Sequence, residues 1–94
     1  MGMFTTRIEL HDAIWDDYEK LHRAMAVAGF SRVITADNNT SYHLPWAEYD
    51  VVGNYTLDQV FDAASKAATS VGKKHAVLVT QAVARKWSGL QKAS

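Results

Sequence analysis

Apolar residues recur at two different spacings along this chain of 94 residues, one typical of strands and the other typical of helices. From Phe4 to Leu10, every second position is apolar except for Thr6, which shares their face. This alternation predicts a half-buried strand. Over residues 13–28 they recur every three or four positions, which predicts an amphipathic helix. The same patterns predict strands at 32–36, 48–55 and 75–81 and a second helix at 57–71.

Local signals mark the ends of the predicted helices. Asp12 stands where a helix N-cap is expected, and Gly29 followed by Phe30 is typical of a helix C-terminus. Thr56 and Gln59 have the spacing of a capping box. Both helices are therefore predicted with defined starts.

The element order predicts a ferredoxin-like βαββαβ sandwich of the α+β class. We expect a four-stranded antiparallel sheet in the order 4-1-3-2 with both helices on one face, and residues 41–44 could extend the middle hairpin. The chain is predicted to be a single domain, 1–94, in which 85–94 form a short basic tail. The residues expected to be buried are Phe4, Ile8, Leu10, Leu21, Met25, Val60, Phe61, Ala64 and Leu78.

The last predicted strand is apolar on both faces. Val77 and Val79 share one face, and Ala76 and Leu78 share the other. Because two helices on one side cover only one face, the other is expected to meet the tail, Trp87 included, or a second subunit. We therefore expect a homodimer.

Composition bears on the binding partners and the cellular location of the protein. The chain has ten basic residues (Lys plus Arg) and ten acidic residues (Asp plus Glu), but no acidic residue follows Asp62. The last third of the chain is therefore positive and could attract a polyanion. The alternative is that these charges form a solvated surface. The chain has no cysteine, which excludes disulfides and favours the cytoplasm. No apolar run approaches the roughly 20 residues of a membrane span, so no membrane partner is expected.

Histidines and charged residues of the first half are the candidates for catalysis. His11 beside Asp12, and His43 in the hairpin region, could transfer protons, while Arg23 could contact a phosphate. A cap with a loop histidine, and a solvated helix face, are the structural alternatives. The four histidines lack metal-ligand spacing, and neither metal nor cofactor is predicted. A hard cation would instead need the carboxylates of Glu9, Asp12, Asp16 and Asp17.

Aromatic residues next to cations are the candidates for nucleic-acid binding. Tyr42 and Trp46 could stack on bases, and Arg32 could meet a phosphate. Arg85 and Lys86 precede Trp87 in a small version of the same pattern. The alternative is that these aromatic side chains are core or dimer contacts.

Two segments stand out beside the element order: Gly29-Phe30-Ser31-Arg32-Val33-Ile34-Thr35-Ala36-Asp37 and Tyr42-His43-Leu44-Pro45-Trp46-Ala47-Glu48-Tyr49. With the element order, they resemble the GhoS antitoxin family, the endoribonuclease antitoxins of type V toxin–antitoxin systems, and the similarity runs from the first strand to the last. The family has an arginine on its first helix where this chain reads Leu21-His22-Arg23. That arginine is either displaced by one position, about 100° around the helix, or replaced by His22.

The resemblance implies a cytoplasmic, ferredoxin-like domain that binds RNA and is a candidate endoribonuclease with little or no dependence on metal. Single-stranded RNA is the expected partner, with His11 or His43 for proton transfer, Asp12 to orient a histidine, and Arg23 or Arg32 at the phosphate. The alternative is a non-catalytic dimeric module that binds another protein, for example a phage or prophage accessory factor.

Overall fold

The structure is a computed structural model that describes residues 1–93, so that Ser94, the end of the predicted tail, lies outside the described residues. Seven elements follow one another along the chain. They are β1 (Gly2–Leu10), α1 (Trp15–Val27), β2 (Val33–Thr35), β3 (Ser41–His43), β4 (Glu48–Gly53), α2 (Leu57–Thr69) and β5 (His75–Ala82). The described chain is therefore an α+β structure with two helices and antiparallel sheets.

Strand β1 is the centre of a three-stranded antiparallel sheet in the order β4-β1-β5. Its alternation of side chains sends Phe4, Ile8 and Leu10 to one face, where all three are buried. The predicted pairing of the first strand with the third and last predicted strands is thereby confirmed.

Strand β2 forms a separate two-stranded sheet with β3. It approaches β4 through one antiparallel bridge, in which the backbone groups of Ser31 and Asp50 exchange two hydrogen bonds of 2.8 and 2.7 Å. Beyond this bridge the chain turns toward β3, because the carbonyl of Arg32 accepts from the Leu44 amide at 2.9 Å. A continuous four-stranded sheet is therefore not confirmed.

Both helices contribute to one core with the sheet. Leu21 and Met25 of α1 and Ala64 and Ala68 of α2 are all fully buried in the cluster that also contains Phe4 of β1. Burying a leucine or methionine side chain contributes roughly 1.5–3 kcal/mol, so these contacts hold the helices against the sheet.

Two residues predicted to be buried are exposed. Phe61 is 43% exposed because the buried stripe of α2 runs through Val60, Ala64, Ala67 and Ala68, and Phe61 lies to one side of it. Leu78 is 63% exposed because it pairs with Arg7 on the face of the sheet opposite the helices. For these two side chains the prediction of burial is wrong.

The N-terminal cap of one helix is as the sequence predicts, and that of the other is not. Thr56 and Gln59 form the predicted capping box, with hydrogen bonds of 2.9 and 3.1 Å. Asp12 is not the cap of α1: it adopts φ 52°, and the helix starts three residues later. Instead, the Asp17 carboxylate accepts from the Ile14 amide at 3.0 Å. The predicted cap at Asp12 is wrong because the chain first makes a left-handed turn there.

The basic tail runs beside β3. The amides of His43 and Ala93 donate to the carbonyls of Gln91 and Ser41 at 2.8 and 2.9 Å, and the Trp87 ring meets the Tyr42 ring edge-on at 5.7 Å. The sequence predicts that the tail or a second subunit covers the outer face of the last strand, but Ala76 and Leu78 on that face are exposed and these tail contacts are made at the hairpin.

Candidate nucleic-acid interface

Five rings meet where α1 faces the loop before β4, and we call them the aromatic cluster: Trp15, Tyr18, His22, Trp46 and Tyr49. The three that belong to α1 are spaced by three and four residues, which places them on one side of the helix. Trp46 lies among them, with ring centroids 4.8 Å from Trp15 and 4.6 Å from His22.

The loop between β3 and β4 carries Trp46 to this position. Its backbone is tied on both sides, since the Glu48 amide donates to the Pro45 carbonyl and the Ile8 amide donates to the Ala47 carbonyl, both at 3.1 Å. Ala47 is buried and adopts φ 62°, a left-handed conformation that an alanine rarely takes. The backbone under Trp46 is therefore held firmly by β1.

The outer part of the cluster is an aromatic surface with a cation on it. Trp15 and Trp46 stack with 26° between their planes, and they are 65% and 44% exposed. The Arg32 guanidinium lies 5.2 Å from the centroid of the Trp46 ring, a cation–π distance. We call this pair of rings the Trp15–Trp46 platform.

The inner part of the cluster is a buried polar pair. His22 is 7% exposed, Tyr49 is fully buried, and the Nδ1 atom of His22 lies 2.7 Å from the Tyr49 hydroxyl. The other ring nitrogen of His22, Nε2, is buried and has no hydrogen-bond partner among residues 1–93. Buried polar atoms are usually paired, so the unpaired nitrogen calls for an explanation.

Burial sets the charge of this pair. It lowers the pKa of His22 below its usual value, and the positive charge of Arg32 lowers it further, while Glu19 acts weakly in the opposite direction. Burial also raises the pKa of the Tyr49 hydroxyl, well above the range of neutral pH. At pH 7, therefore, the imidazole and the phenol are both neutral.

Two of the predicted nucleic-acid-binding residues lie together in this region, and the others lie elsewhere. Arg32 and Trp46 contact each other at the platform. Tyr42 is half-buried against Trp87 of the tail. Tyr42 and the platform therefore belong to different parts of the hairpin region.

Arg85 and Lys86, which are adjacent in the chain, have different surroundings. The Arg85 guanidinium forms an ion pair of 2.5 Å with the buried Asp50 carboxylate and also donates to the Thr5 hydroxyl at 3.2 Å. Lys86 is exposed. Arg85 thus fastens the tail to the open face of the sheet, and Lys86 is the exposed cation of this pair.

His11 and Asp12 lie at the end of β1, next to the start of β5. The His11 side chain faces Glu9, with 3.2 Å between Nε2 and a carboxylate oxygen. Asp12 offers its backbone carbonyl to the Lys73 ammonium at 3.2 Å. His11 therefore pairs with Glu9 rather than with the neighbouring Asp12.

His43 and Arg23 occupy two further places. His43 is exposed on β3, in register with Val33 of β2. Arg23 is exposed on α1 beside Lys66 of α2, in a shallow groove between the helices. The four predicted catalytic side chains are thus distributed over the turn after β1, the hairpin and α1.

Sequence reasoning missed three members of the cluster: Trp15, His22 as a buried group, and Tyr49 as its partner. The missed signal was the spacing of Trp15, Tyr18 and His22, which repeats every three to four residues and marks one side of α1. The pairing with Tyr49 could not be found in this way, because it depends on how β4 lies under the helix.

A scan against protein-family models finds no match for this chain, and a search of curated proteins also finds none. Within residues 1–93, no three His, Asp or Glu side chains come together as a metal site would require. Neither helix in the described part of the chain has the length and hydropathy needed to cross a membrane.

Proposed function

We propose that this protein is a GhoS-like antitoxin domain that binds single-stranded RNA in the cytoplasm through the Trp15–Trp46 platform. The observation that carries the proposal is the pair of stacked, exposed tryptophan rings with Arg32 against them. Unpaired bases stack on exposed aromatic rings, and this contact tolerates all four bases.

Charge near the platform complements this stacking. Arg32 is exposed and next to Trp46, so a base on the platform brings its phosphate within reach of the guanidinium. Lys20 on α1 is also exposed, while Asp16 is an exposed acid of the same helix. Because an acidic side chain accompanies these cations, the net attraction of the platform for RNA phosphates is small. We therefore expect weak RNA binding that added salt reduces.

The complete ferredoxin-like arrangement is part of the proposal. The isolated bridge between Ser31, two residues before β2, and Asp50 of β4 supports a fourth strand in the order β5-β1-β4-β2. In that arrangement the hairpin of β2 and β3 is the edge on which Arg32 stands, and β5 is the opposite edge.

Cleavage of RNA by the predicted side chains is a separate proposal, with less support from the geometry. Cleavage needs a base to activate the 2′-OH, an acid to protonate the leaving oxygen and a cation at the same phosphate. His11 is paired with Glu9 at the end of β1, whereas His43 stands on β3, the strand that pairs with β2. This separation favours an RNA-binding protein over a nuclease that uses both histidines, and it keeps a non-catalytic module as the second candidate.

The test of RNA binding compares platform variants with a matched control. Titration of a labelled single-stranded RNA of mixed sequence should show weaker binding to Trp15→Ala and Trp46→Ala, by about tenfold each, since one stacked base contributes roughly 1–3 kcal/mol. Phe61→Ala is the control, because Phe61 is exposed to the same extent as Trp46 but lies on α2. Equal affinities for all four proteins would refute the platform.

The same samples separate binding from cleavage and from protein recognition. Wild-type protein incubated with an RNA pool, with and without chelator, should leave the RNA intact if the domain only binds, and should cut it if the nuclease proposal holds. In that case His11→Ala or His43→Ala should slow cutting. A protein with no salt-dependent RNA binding at low salt would instead support the protein-interaction module.

A further inference from the structure

A cavity lies between the turn that follows β2 and the start of the tail. Its volume is about 360 Å³, within the range of roughly 300–1,000 Å³ that is usual for small-molecule sites. It is lined by Met3, Thr35, Ala36, Asp37, Val83, Ala84, Arg85 and Trp87. Three separate parts of the chain therefore form its wall: the first strand, the hairpin of β2 and β3, and the segment after β5.

Asp37 and Arg85 bring opposite charges to this cavity, and both belong to segments that the fold holds in place. The turn that carries Asp37 is closed by a hydrogen bond of 2.9 Å from the Asn39 amide to the Ala36 carbonyl. The guanidinium of Arg85 is held by its ion pair with Asp50. A ligand therefore does not have to order these two segments when it binds, which favours affinity.

Both charged side chains keep hydrogen-bonding capacity for a ligand. Asp37 is exposed and makes no ion pair with any of residues 1–93. A guanidinium has five N–H donors. Those on Nη1 of Arg85 serve Asp50 and Thr5, and one on Nη2 faces the Met3 sulfur at 3.9 Å. Because two donors of Arg85 remain, the matching ligand offers donors to the carboxylate and acceptors to the guanidinium.

The Trp87 ring adds a flat aromatic wall. Trp87 is half-buried, and its ring meets that of Tyr42 edge-on at 5.7 Å, so the hairpin supports it from one side. Flat rings stack on such a surface. A cavity of about 150 Å³ already holds a benzene ring, so 360 Å³ has room for a base of two fused rings.

We propose that this cavity binds a guanine base, stacked on Trp87, with its N1–H and 2-amino group donating to Asp37 and its O6 or N7 accepting from Arg85. Guanine has two adjacent donors on its Watson–Crick edge and two acceptors, O6 and N7, beside them. Adenine offers only its 6-amino group as a donor on these edges. The proposal goes beyond the Trp15–Trp46 platform, because no residue that lines the cavity belongs to the aromatic cluster.

Nucleotides that differ only in the base measure this recognition. In calorimetric titrations of the wild-type protein, guanosine monophosphate should bind about tenfold more tightly than inosine monophosphate, which lacks only the 2-amino group. Adenosine monophosphate should also bind about tenfold more weakly than guanosine monophosphate, because its Watson–Crick edge has no ring N–H. The phosphate is common to all three, so its contacts cancel in these ratios.

Asp37→Ala is the decisive variant, because it removes the acceptor for the 2-amino group. The ratio of guanosine to inosine monophosphate affinities should then fall to about one. Asp62→Ala is the matched control: it removes another exposed carboxylate, which stands on α2 and does not line the cavity, so the ratio should stay at its wild-type value. Trp87→Leu should weaken all three nucleotides by about tenfold through the loss of stacking. Urea denaturation establishes that each variant is folded.

Two RNA pentamers, UUGUU and UUAUU, identify the source of the base. If the guanine belongs to RNA, UUGUU should bind more tightly than guanosine monophosphate, and its advantage over UUAUU should vanish in Asp37→Ala. A pentamer that binds no more tightly than the nucleotide would assign the site to a free guanine nucleotide.

The guanine site and the platform fail separately. Trp46→Ala should weaken both pentamers and leave the binding of guanosine monophosphate unchanged, since Trp46 does not line the cavity. Equal binding of the three nucleotides to the wild-type protein, or a guanosine preference that persists in Asp37→Ala, would overturn the guanine site whatever the platform does.

Discussion

The Tyr49 hydroxyl and the Nδ1 atom of His22 lie 2.7 Å apart, although 27 positions separate the two residues in the chain. This hydrogen bond joins α1 to β4 in the inner part of the aromatic cluster, and Tyr49 is fully buried. A buried polar contact of this kind fixes how the helix sits on the sheet, because an alternative packing would leave the hydroxyl unpaired.

Removal of the Tyr49 hydroxyl should therefore weaken the fold. We expect Tyr49→Phe to lower the free energy of unfolding by about 1–3 kcal/mol, since His22 Nδ1 then stays buried without a partner. Urea denaturation at pH 7.5 measures this loss. Tyr55→Phe is the matched control, because Tyr55 is exposed, and it should change stability by less than about 0.5 kcal/mol. Equal effects of the two variants would contradict a stabilising role of the buried pair.

Acid should destabilise the protein through His22. Its pKa is lowered in the folded state, so below about pH 6.5 the unfolded chain binds a proton that the folded chain does not. The contribution of His22 to stability is therefore complete above that pH and declines as the pH falls toward the folded-state pKa. The groups around the imidazole are Arg32, which disfavours its charge, Glu19, which favours it weakly, and the neutral Tyr49.

The difference between wild type and His22→Gln isolates this residue from the other three histidines. Urea unfolding of both proteins at several values between pH 7.5 and 5 should show a stability difference that narrows as the pH falls. A difference independent of pH would mean that His22 titrates alike in the folded and unfolded chains.

The sequence predicted the elements with short-range signals and missed those that depend on long-range packing. The alternation from Phe4 to Leu10 is a property of β1 alone, and the Thr56–Gln59 capping box needs only four residues, so both were found. Leu78 was misplaced because a strand pattern does not tell which of its two faces a helix covers.

The candidate site was found in part for the same reason. Arg32 and Trp46 were recognised as exposed groups of suitable chemistry, but their contact depends on the turn of the chain after the Ser31–Asp50 bridge. The burial of His22 depends on α1 lying over Tyr49, which no local pattern of α1 specifies.

The ion pair between Arg85 and Asp50 should be a major contribution of the tail to stability. Asp50 is buried, and removing the cation would leave its carboxylate uncompensated, so Arg85→Ala should cost about 3 kcal/mol, the lower end for buried pairs. Lys86→Ala is the neighbouring control and should cost less than about 0.5 kcal/mol, because its side chain is exposed. Both values come from urea denaturation. If Arg85→Ala is as stable as Lys86→Ala, the ion pair does not hold the tail.

A proposed homodimer has its most suitable surface at β5. This strand is an edge of its sheet, it carries no Lys, Arg, Asp or Glu from His75 to Ala82, and Leu78 projects from its exposed face. Uncharged edge strands pair readily with other strands, because their backbone groups are free to form hydrogen bonds.

Val79 packs against the core, so a charge there would disturb the fold, whereas Leu78→Lys should prevent association and leave the subunit folded. Sedimentation of the wild-type protein at micromolar concentration should give twice the mass of the 10.4 kDa chain, and Leu78→Lys should give the single mass. A wild-type protein that sediments as one chain would contradict the dimer, and a dimer that survives Leu78→Lys would place its interface away from β5.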